Sequence, residues 1–395
     1  MSKRSNASHS QWSDLPIDLL DKIAGCLETQ SDLGRFRSVC RGWRSSAPPP
    51  PPLKASRVLR LPWLPICDEF DEPYYFGLKE FTVYSIEPLP SSTHNDDTTS
   101  ASASAAATRP WIIMLRFTKP GTAHLRDLVD LSRIRKIDEG LPKVLDLRDY
   151  QVREICTTYR LYIREQRHDM DSCDYFDFEC FRETEGGFMG LVLEKGGGLF
   201  AWKMGGKEWT EISVTLEGDF HSYIVGYHKG KFFLVGETGW TLTVDPISLE
   251  TKEVVHEMQQ HRVLLYRYLV GSSEDLFLVE WEYFDDEVSC GFEFSVSKLD
   301  EHKGEWVLEE GGLKDHVLFI AYNNWTALVP AKHLPGYLRN CVYFADFDLS
   351  GCCDHPSSSF QVAEIRGGLQ EAFQLCPSSN CSKLFWPPPA WLKKN

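Results

Sequence analysis

The sequence predicts a multidomain α and β chain: a small N-terminal helical unit followed by an all-β propeller of about seven blades. Three observations point there. Apolar residues recur at helical spacing only within residues 12–46, and five consecutive prolines, Pro48 to Pro52, follow directly. From Leu61 onward, short β-branched and aromatic runs alternate with Gly, Asp and Asn turns, with a weak repeat of roughly 40–50 residues.

The first helix is announced by Ser13 and Asp14 as N-cap candidates before Leu15-Pro16, with proline at a tolerated first-turn position. Ile17, Leu20, Ala24 and Leu27 then recur at spacings of three and four, with Leu19 and Ile23 beside them, making a wide apolar stripe. Ser31-Asp32 opens a second helical stretch carrying Leu33, Phe36, Val39, Cys40 and Trp43. Gly34 and Gly42 each weaken their helix by about 1 kcal/mol relative to alanine. A core of fewer than ~40 residues needs outside help to bury so much apolar surface. Either the rest of the chain or another protein supplies it.

The prolines make residues 47–56 a stiff spacer. Polyproline II advances ~3.1 Å per residue, so the run extends roughly 15 Å and is expected to hold the two parts apart.

Residues 57–395 form the second region. Its strand candidates are Trp111–Phe117, Gly190–Leu193, Leu199–Trp202, Lys231–Val235, Thr241–Val244, Leu276–Trp281, Phe292–Val296 and Val342–Ala345, with Gly196-Gly197-Gly198 as a hairpin loop. Asp127–Ile137 reads as a helix or a loop. Trp209 and Trp306 lie in similar Lys/Gly-Glu-Trp contexts 97 residues apart, and the runs ending at Val235 and Val279 end 44 apart. Both spacings suit propeller blades. Residues 90–108, rich in Ser, Thr and Ala, read as a disordered excursion. The aromatic close, Phe385 to Trp391, is expected to complete the ring beside Arg57–Leu61.

The 395 residues are 42% hydrophobic and 25% charged, enough apolar material to exclude global disorder. No apolar run reaches the ~18 residues of a membrane span, and residues 1–11 show no secretory leader. The twelve cysteines are therefore expected to stay reduced, in nucleus and/or cytoplasm. The net charge of −15 divides into +5 over residues 1–60 and −20 over the remainder. An acidic body repels phosphate backbones and argues against nucleic acid as the partner.

Chemistry-bearing patterns are scarce. No Walker A, G-x-S-x-G, H-E-x-x-H or C-x-x-C motif occurs. Cys352-Cys353-Asp354-His355 and Cys376/Cys381 lack paired chelating spacing, so no metal site is assigned. Histidines such as His221, His228 and His316 stand alone. The acidic runs at 68–72, 169–179 and 280–287 read as solvated loops or as an acidic rim that steers a basic partner. Trp202, Trp209, Trp240, Trp281, Trp306 and Trp325 read mostly as blade core. No catalytic residue and no cofactor is assigned.

The ordered pattern Trp12-Ser-Asp-Leu15-Pro16, Leu19-Leu20, Ile23, Leu27, Asp32-Leu33 and Phe36-Arg37-Ser38-Val39-Cys40-Arg41-Gly42-Trp43-Arg44 resembles an F-box. Downstream, Arg109-Pro110-Trp111, Gly230-Lys231-Phe232-Phe233, Val244-Asp245-Pro246, Tyr268-Leu269-Val270, Asn340 to Phe344 and Trp386 to Pro389 resemble a plant KIB-type, kelch-like β-propeller. The resemblance implies the substrate-recognition subunit of a Skp-cullin-F-box (SCF) ubiquitin ligase, itself non-catalytic; an F-box scaffold without a degradative role and a propeller-fold enzyme are the alternative readings. Residues 12–46 would dock a Skp adaptor, and through it a cullin, while the propeller holds a protein substrate. The adaptor-binding set it implies is Leu15, Pro16, Ile17, Leu19, Leu20, Ile23, Leu27, Leu33, Phe36, Val39, Cys40 and Trp43.

Overall fold

The computed structural model describes residues 15–27, 30–47, 56–64, 76–88, 110–119, 122–126, 150–164, 169–171, 176–194, 197–214, 223–256, 266–285, 290–321, 325–345, 360–365 and 371–372. The N-cap candidates Ser13 and Asp14, the proline run, residues 90–108, Asp127–Ile137, Cys352–His355 and the aromatic close lie outside the described residues.

Three short helices come first: α1 (Ile17–Gly25), α2 (Gln30–Ser38) and α3 (Arg41–Ser46). Pro16 itself is the N-cap of α1, in an extended conformation, and its carbonyl accepts from the amides of Leu19 and Leu20. Asp18 in the first turn and Lys22 in the last complement the helix dipole.

Twenty-three strands then build five sheets among the described residues. Blade 1 holds β1 (Val58–Arg60), β2 (Phe76–Pro88), β3 (Trp111–Lys119), β4 (Thr122–Arg126), β5 (Tyr150–Arg164) and β6 (Asp169–Asp171). Blade 2 holds β7 (Phe176–Thr184), β8 (Gly187–Glu194), β9 (Leu199–Lys203) and β10 (Thr210–Glu211). Blade 3 holds β11 (Ile224–His228), β12 (Lys231–Val235), β13 (Thr241–Val244) and β14 (Thr251–Val255). Blade 4 holds β15 (Tyr266–Gly271), β16 (Leu276–Asp285), β17 (Cys290–Asp300) and β18 (Glu305–Leu308). Blade 5 holds β19 (His316–Ala321), β20 (Trp325–Pro330), β21 (Cys341–Ala345) and β22 (Phe360–Glu364), with β19 and β21 parallel. The last strand, β23 (Glu371–Ala372), returns to pair with β17 in blade 4.

Apolar cores between successive sheets bind the ring. Leu78, Leu161, Phe188 and Trp202 join blades 1 and 2; Leu191, Phe232 and Leu242 join 2 and 3; Phe233, Leu278 and Trp306 join 3 and 4. Val279, Phe294, Leu318 and Phe344 join blades 4 and 5, and Val83, Met114, Phe319 and Tyr343 join blade 5 back to blade 1. The circle therefore closes by side-chain packing between the fifth and first sheets. Tyr337 adds a cross-seam bond, its hydroxyl donating to Pro110 O at 3.3 Å.

The expectation of about seven blades is corrected to five. Dividing the chain by one repeat length assumed uniform blades, whereas blade 1 alone extends from Val58 to Asp171. The eight strand candidates all fall on strands: β3, β8, β9, β12, β13, β16, β17 and β21. The spacing of 44 residues marks successive second strands, β12 and β16, and that of 97 separates blades 2 and 4. The segment near Arg57–Leu61 pairs with β2: Val58 faces Lys79 and Arg60 faces Gly77.

Candidate functional site

The helical unit has a core of its own. Leu20 of α1 and Phe36 of α2 are 2% and 5% exposed, and Ala47 closes the cluster; Leu15, Ala24, Leu27, Leu33 and Trp43 pack around them half-buried. Trp43 stacks at a tilt on Phe36, ring centroids 4.6 Å apart. Two arginines of the F-box-like pattern, given no role from sequence alone, lock the α2–α3 corner. Arg37 Nη1 donates to Arg44 O (2.7 Å) and to Ala47 O, while Arg44 Nε donates back to Arg37 O (3.1 Å). Their signal was their spacing of seven, which places both at one corner once the chain turns at Cys40.

The twelve residues implied by the resemblance divide by environment. Leu20 and Phe36 are interior, with Leu15, Leu27, Leu33 and Trp43 around them, and Cys40 is the half-buried, extended N-cap of α3. Pro16, Ile17, Leu19, Ile23 and Val39 face solvent; the four large apolar ones are exposed by 60% (Ile17), 42% (Leu19), 36% (Ile23) and 55% (Val39). On α1, Leu20, Ala24 and Leu27 form the inner row at i, i+4, i+7, and Leu19, Ile23 and Cys26 form an outer row at the same spacing. The outer row is not sealed against the propeller.

Nor is the unit held at a distance. The Arg35 guanidinium of α2 donates from Nη2 to Tyr150 O at the start of β5, 3.1 Å away. The expected separation is thus corrected: α2 touches blade 1, and α1 keeps its outer row free.

The propeller's polar groups are mostly spent on structure. Glu179 of the acidic run at 169–179 accepts from Leu161 N at 3.0 Å and lies 3.9 Å from Arg160. Glu280 accepts from Arg267 Nε at 3.0 Å, and Arg267 Nη1 also reaches Gly236 O. Burial pushes the Glu80 carboxyl above its ordinary value despite Arg57 beside it, and pushes Tyr84 and Tyr159 up to about 12. His228 is buried against Phe233, and His316 Nδ1 lies 3.3 Å from Leu313 O. Trp202, Trp240, Trp281 and Trp306 are core and Trp209 half-buried, as expected; the Trp325 side chain lies outside the described residues, as does His221. Among the described residues no group of three His, Cys, Asp or Glu side chains is placed to hold a metal, and no helix is long and apolar enough to cross a membrane.

Comparison with known families resolves both parts. The F-box domain description matches residues 12–50, and the KIB1-4 beta-propeller description matches residues 75–367. The chain belongs to the KIB1-4 β-propeller family. Among its relatives in Arabidopsis thaliana, F-box protein At2g17036 is 25% identical over 407 residues, covering 96% of this chain and 94% of its own. F-box protein SKIP23 is 26% identical over 413 residues, covering 96% and 95%. F-box domains in general bind Skp1-type adaptors, and the propellers attached to them bind substrates.

Proposed function

We propose that this chain is the substrate-recognition subunit of an SCF-type ubiquitin ligase, with the outer row of α1 docking a Skp adaptor and the five-bladed ring carrying the protein to be modified. One observation carries the reading: Ile17, Leu19, Ile23 and Val39 stand in solvent on a unit whose own core is already closed by Leu20 and Phe36. Covering exposed apolar surface returns ~25 cal/mol per Å², and four large apolar side chains on so small a unit mark an interaction face. Leu20, Leu27, Phe36 and Trp43 then serve the interface indirectly, by holding α1 in place.

The protein makes and breaks no bonds in this reading. It holds a target lysine near a charged ubiquitin-conjugating enzyme, raising the local concentration toward the millimolar range. The reading puts the chain in the nucleus or cytoplasm, where thiols such as Cys26, Cys40, Cys180 and Cys341, none of them in a disulfide, are chemically at home.

The test is adaptor capture by full-length Leu19→Ala/Ile23→Ala. Both side chains are exposed, so the far-ultraviolet helix signal stays intact while capture falls at least ~100-fold. Undiminished capture would remove the proposal.

A further inference from the structure

The helical unit is fastened to the ring at two places. The first is covalent: Ala47 is buried in the helical core and Ser56 in blade 1, where Ser56 N donates to Phe117 O and Phe117 N donates to Ser56 Oγ, both at 2.8 Å. Both ends of the segment between them are thereby anchored. The second is Arg35 on Tyr150 O. Tyr150 opens β5, which pairs with β2 along its whole length, from Pro88 facing Tyr150 to Phe76 facing Ile163. Further along, Ile155 and Cys156 pack into the seam with blade 5, and Leu161 lies in the seam with blade 2. Arg35 therefore grips the strand that is wedged between two neighbouring blades. Arg37, one turn-step away, points into the α2–α3 corner instead. The two arginines divide the labour: one holds the unit together, the other holds it to the propeller.

We propose that Arg35 is a positioning residue that fixes the angle between the adaptor-docking helix and the propeller, and so selects which lysines of a held protein face the ubiquitin-charged enzyme. The proposal rests on the docking reading above. A body joined at a single covalent point swivels; a second contact at a distance from the first removes that freedom, and ubiquitin transfer depends on presented geometry. Arg35 is half-buried and is not one of the exposed apolar side chains Ile17, Leu19, Ile23 and Val39 of the docking face, so its loss leaves adaptor affinity within about twofold of wild type.

The test uses the full chain with Arg35→Ala and Arg35→Lys. Small-angle scattering of the free protein and the rate of tryptic cleavage after Lys54 report on the clamp without any partner. Arg35→Ala is expected to increase the maximum dimension and to speed cleavage about tenfold, as loss of a charge-assisted hydrogen bond frees the swivelled population. Arg35→Lys, which keeps a charged donor, falls between. In a ligase reconstituted with a Skp adaptor, the wild-type chain is expected to be self-modified on a restricted set of its own lysines. Arg35→Ala spreads modification over more blades, with adaptor affinity within about twofold of wild type. Unchanged scattering, cleavage and lysine pattern would overturn the proposal, as would an Arg35→Ala chain whose helical unit melts or no longer captures the adaptor. If the wild-type chain captures no adaptor, the docking reading fails while scattering and cleavage still decide the clamp.

Discussion

Trp306 on β18 donates its indole N–H to Thr241 Oγ1, 2.9 Å away across the seam between blades 4 and 3, and the Thr241 hydroxyl donates in turn to Gly239 O at 2.8 Å. Trp209, just before β10 of blade 2, reaches in the same manner to Pro62 O at 3.0 Å, just after β1 of blade 1. An outer-strand tryptophan thus ties each of these blades to its predecessor. The repeat of 97 residues is this tie seen in sequence.

Trp306→Phe should therefore destabilise the ring by about 2 kcal/mol, combining a lost buried hydrogen bond with a small void. Thr241→Val removes the other end of the same bond. The double substitution should cost clearly less than the two single losses together, because one interaction is being counted twice. Urea unfolding of the four proteins measures the coupling, and strict additivity would refute the tie.

The division of the helical unit into interior and exterior predicts opposite phenotypes for adjacent residues. Leu20→Ala empties the centre of a very small core and should cost about 2–5 kcal/mol, abolishing the helix signal and adaptor capture together. Leu19→Ala, one residue away, should leave the signal intact. Circular dichroism with adaptor titration separates the two. Equal melting of both variants would mean that the exposed row is part of the fold rather than of an interface.

Much of this was legible in residue order. Eight apolar runs became eight strands because β-branched and aromatic residues between glycine turns leave few other options. The helical region was legible from spacing, but the single stretch expected from Ser31-Asp32 to Trp43 is instead two helices, α2 starting at Gln30 and α3 following the extended Cys40. The apolar excess of α1 was legible too. Its division into inner and outer rows was not, because Leu19 and Leu20 are chemically alike and only the packing of Phe36 decides which is interior. The two longest strands, β2 and β5, were missed. In β2 the large buried side chains are Phe76, Leu78, Phe81, Val83 and Ile86, whose spacing changes phase after Leu78, and Gly77, Thr82 and Ser85 are buried among them, so no clean alternation marks the strand. In β5 polar and apolar residues mix, as in Arg153-Glu154-Ile155 and Thr158-Tyr159-Arg160, and the strand contributes side chains to two different seams, Ile155 and Cys156 to that with blade 5 and Tyr159 and Leu161 to that with blade 2. Missing this pair hid the size of blade 1, and the count of blades rose to seven. Arg35 could not have been placed at all: its partner is a backbone carbonyl 115 residues away.

Acid sensitivity should originate at His228. Burial, with Lys229 beside it, holds this imidazole below its ordinary value of 6.5, against the opposing pull of the Glu274 backbone and of Glu301 and Asp275. A group whose folded-state value is depressed leaves the unfolded chain binding more protons. Its stabilising contribution is complete above pH 6.5 and is lost as pH falls from there through the folded-state value. Asp245 and Asp300 are also held below their ordinary 3.8, Asp245 by the amides of Ser248 and Ile247 and Asp300 by those of Lys303 and His302, so their losses begin only in stronger acid. Melting temperatures at pH 7.5 and 5.5 should accordingly fall in the wild type and fall less in His228→Gln. An identical drop in both would assign the sensitivity elsewhere.

Two glycines in this chain should respond to alanine with opposite signs. Gly190 on β8 faces Phe181 on β7, and a Cβ there would sit 2.1 Å and 2.3 Å from two carbons of the Phe181 ring. That ring is fully buried in the seam between blades 1 and 2, near Phe188 and Trp202, so it has nowhere to move. Gly190→Ala should cost about 1–3 kcal/mol through overpacking. Gly25 closes α1, where an added Cβ meets nothing within 4 Å. The glycine there costs only backbone entropy, so Gly25→Ala should gain up to ~1 kcal/mol for the helical unit. Differential scanning calorimetry of both variants, with α1 followed by amide exchange, reads the two effects separately. A stabilised Gly190→Ala ring would show that Phe181 is free to leave the seam, and the packing assigned to blades 1 and 2 would then be wrong.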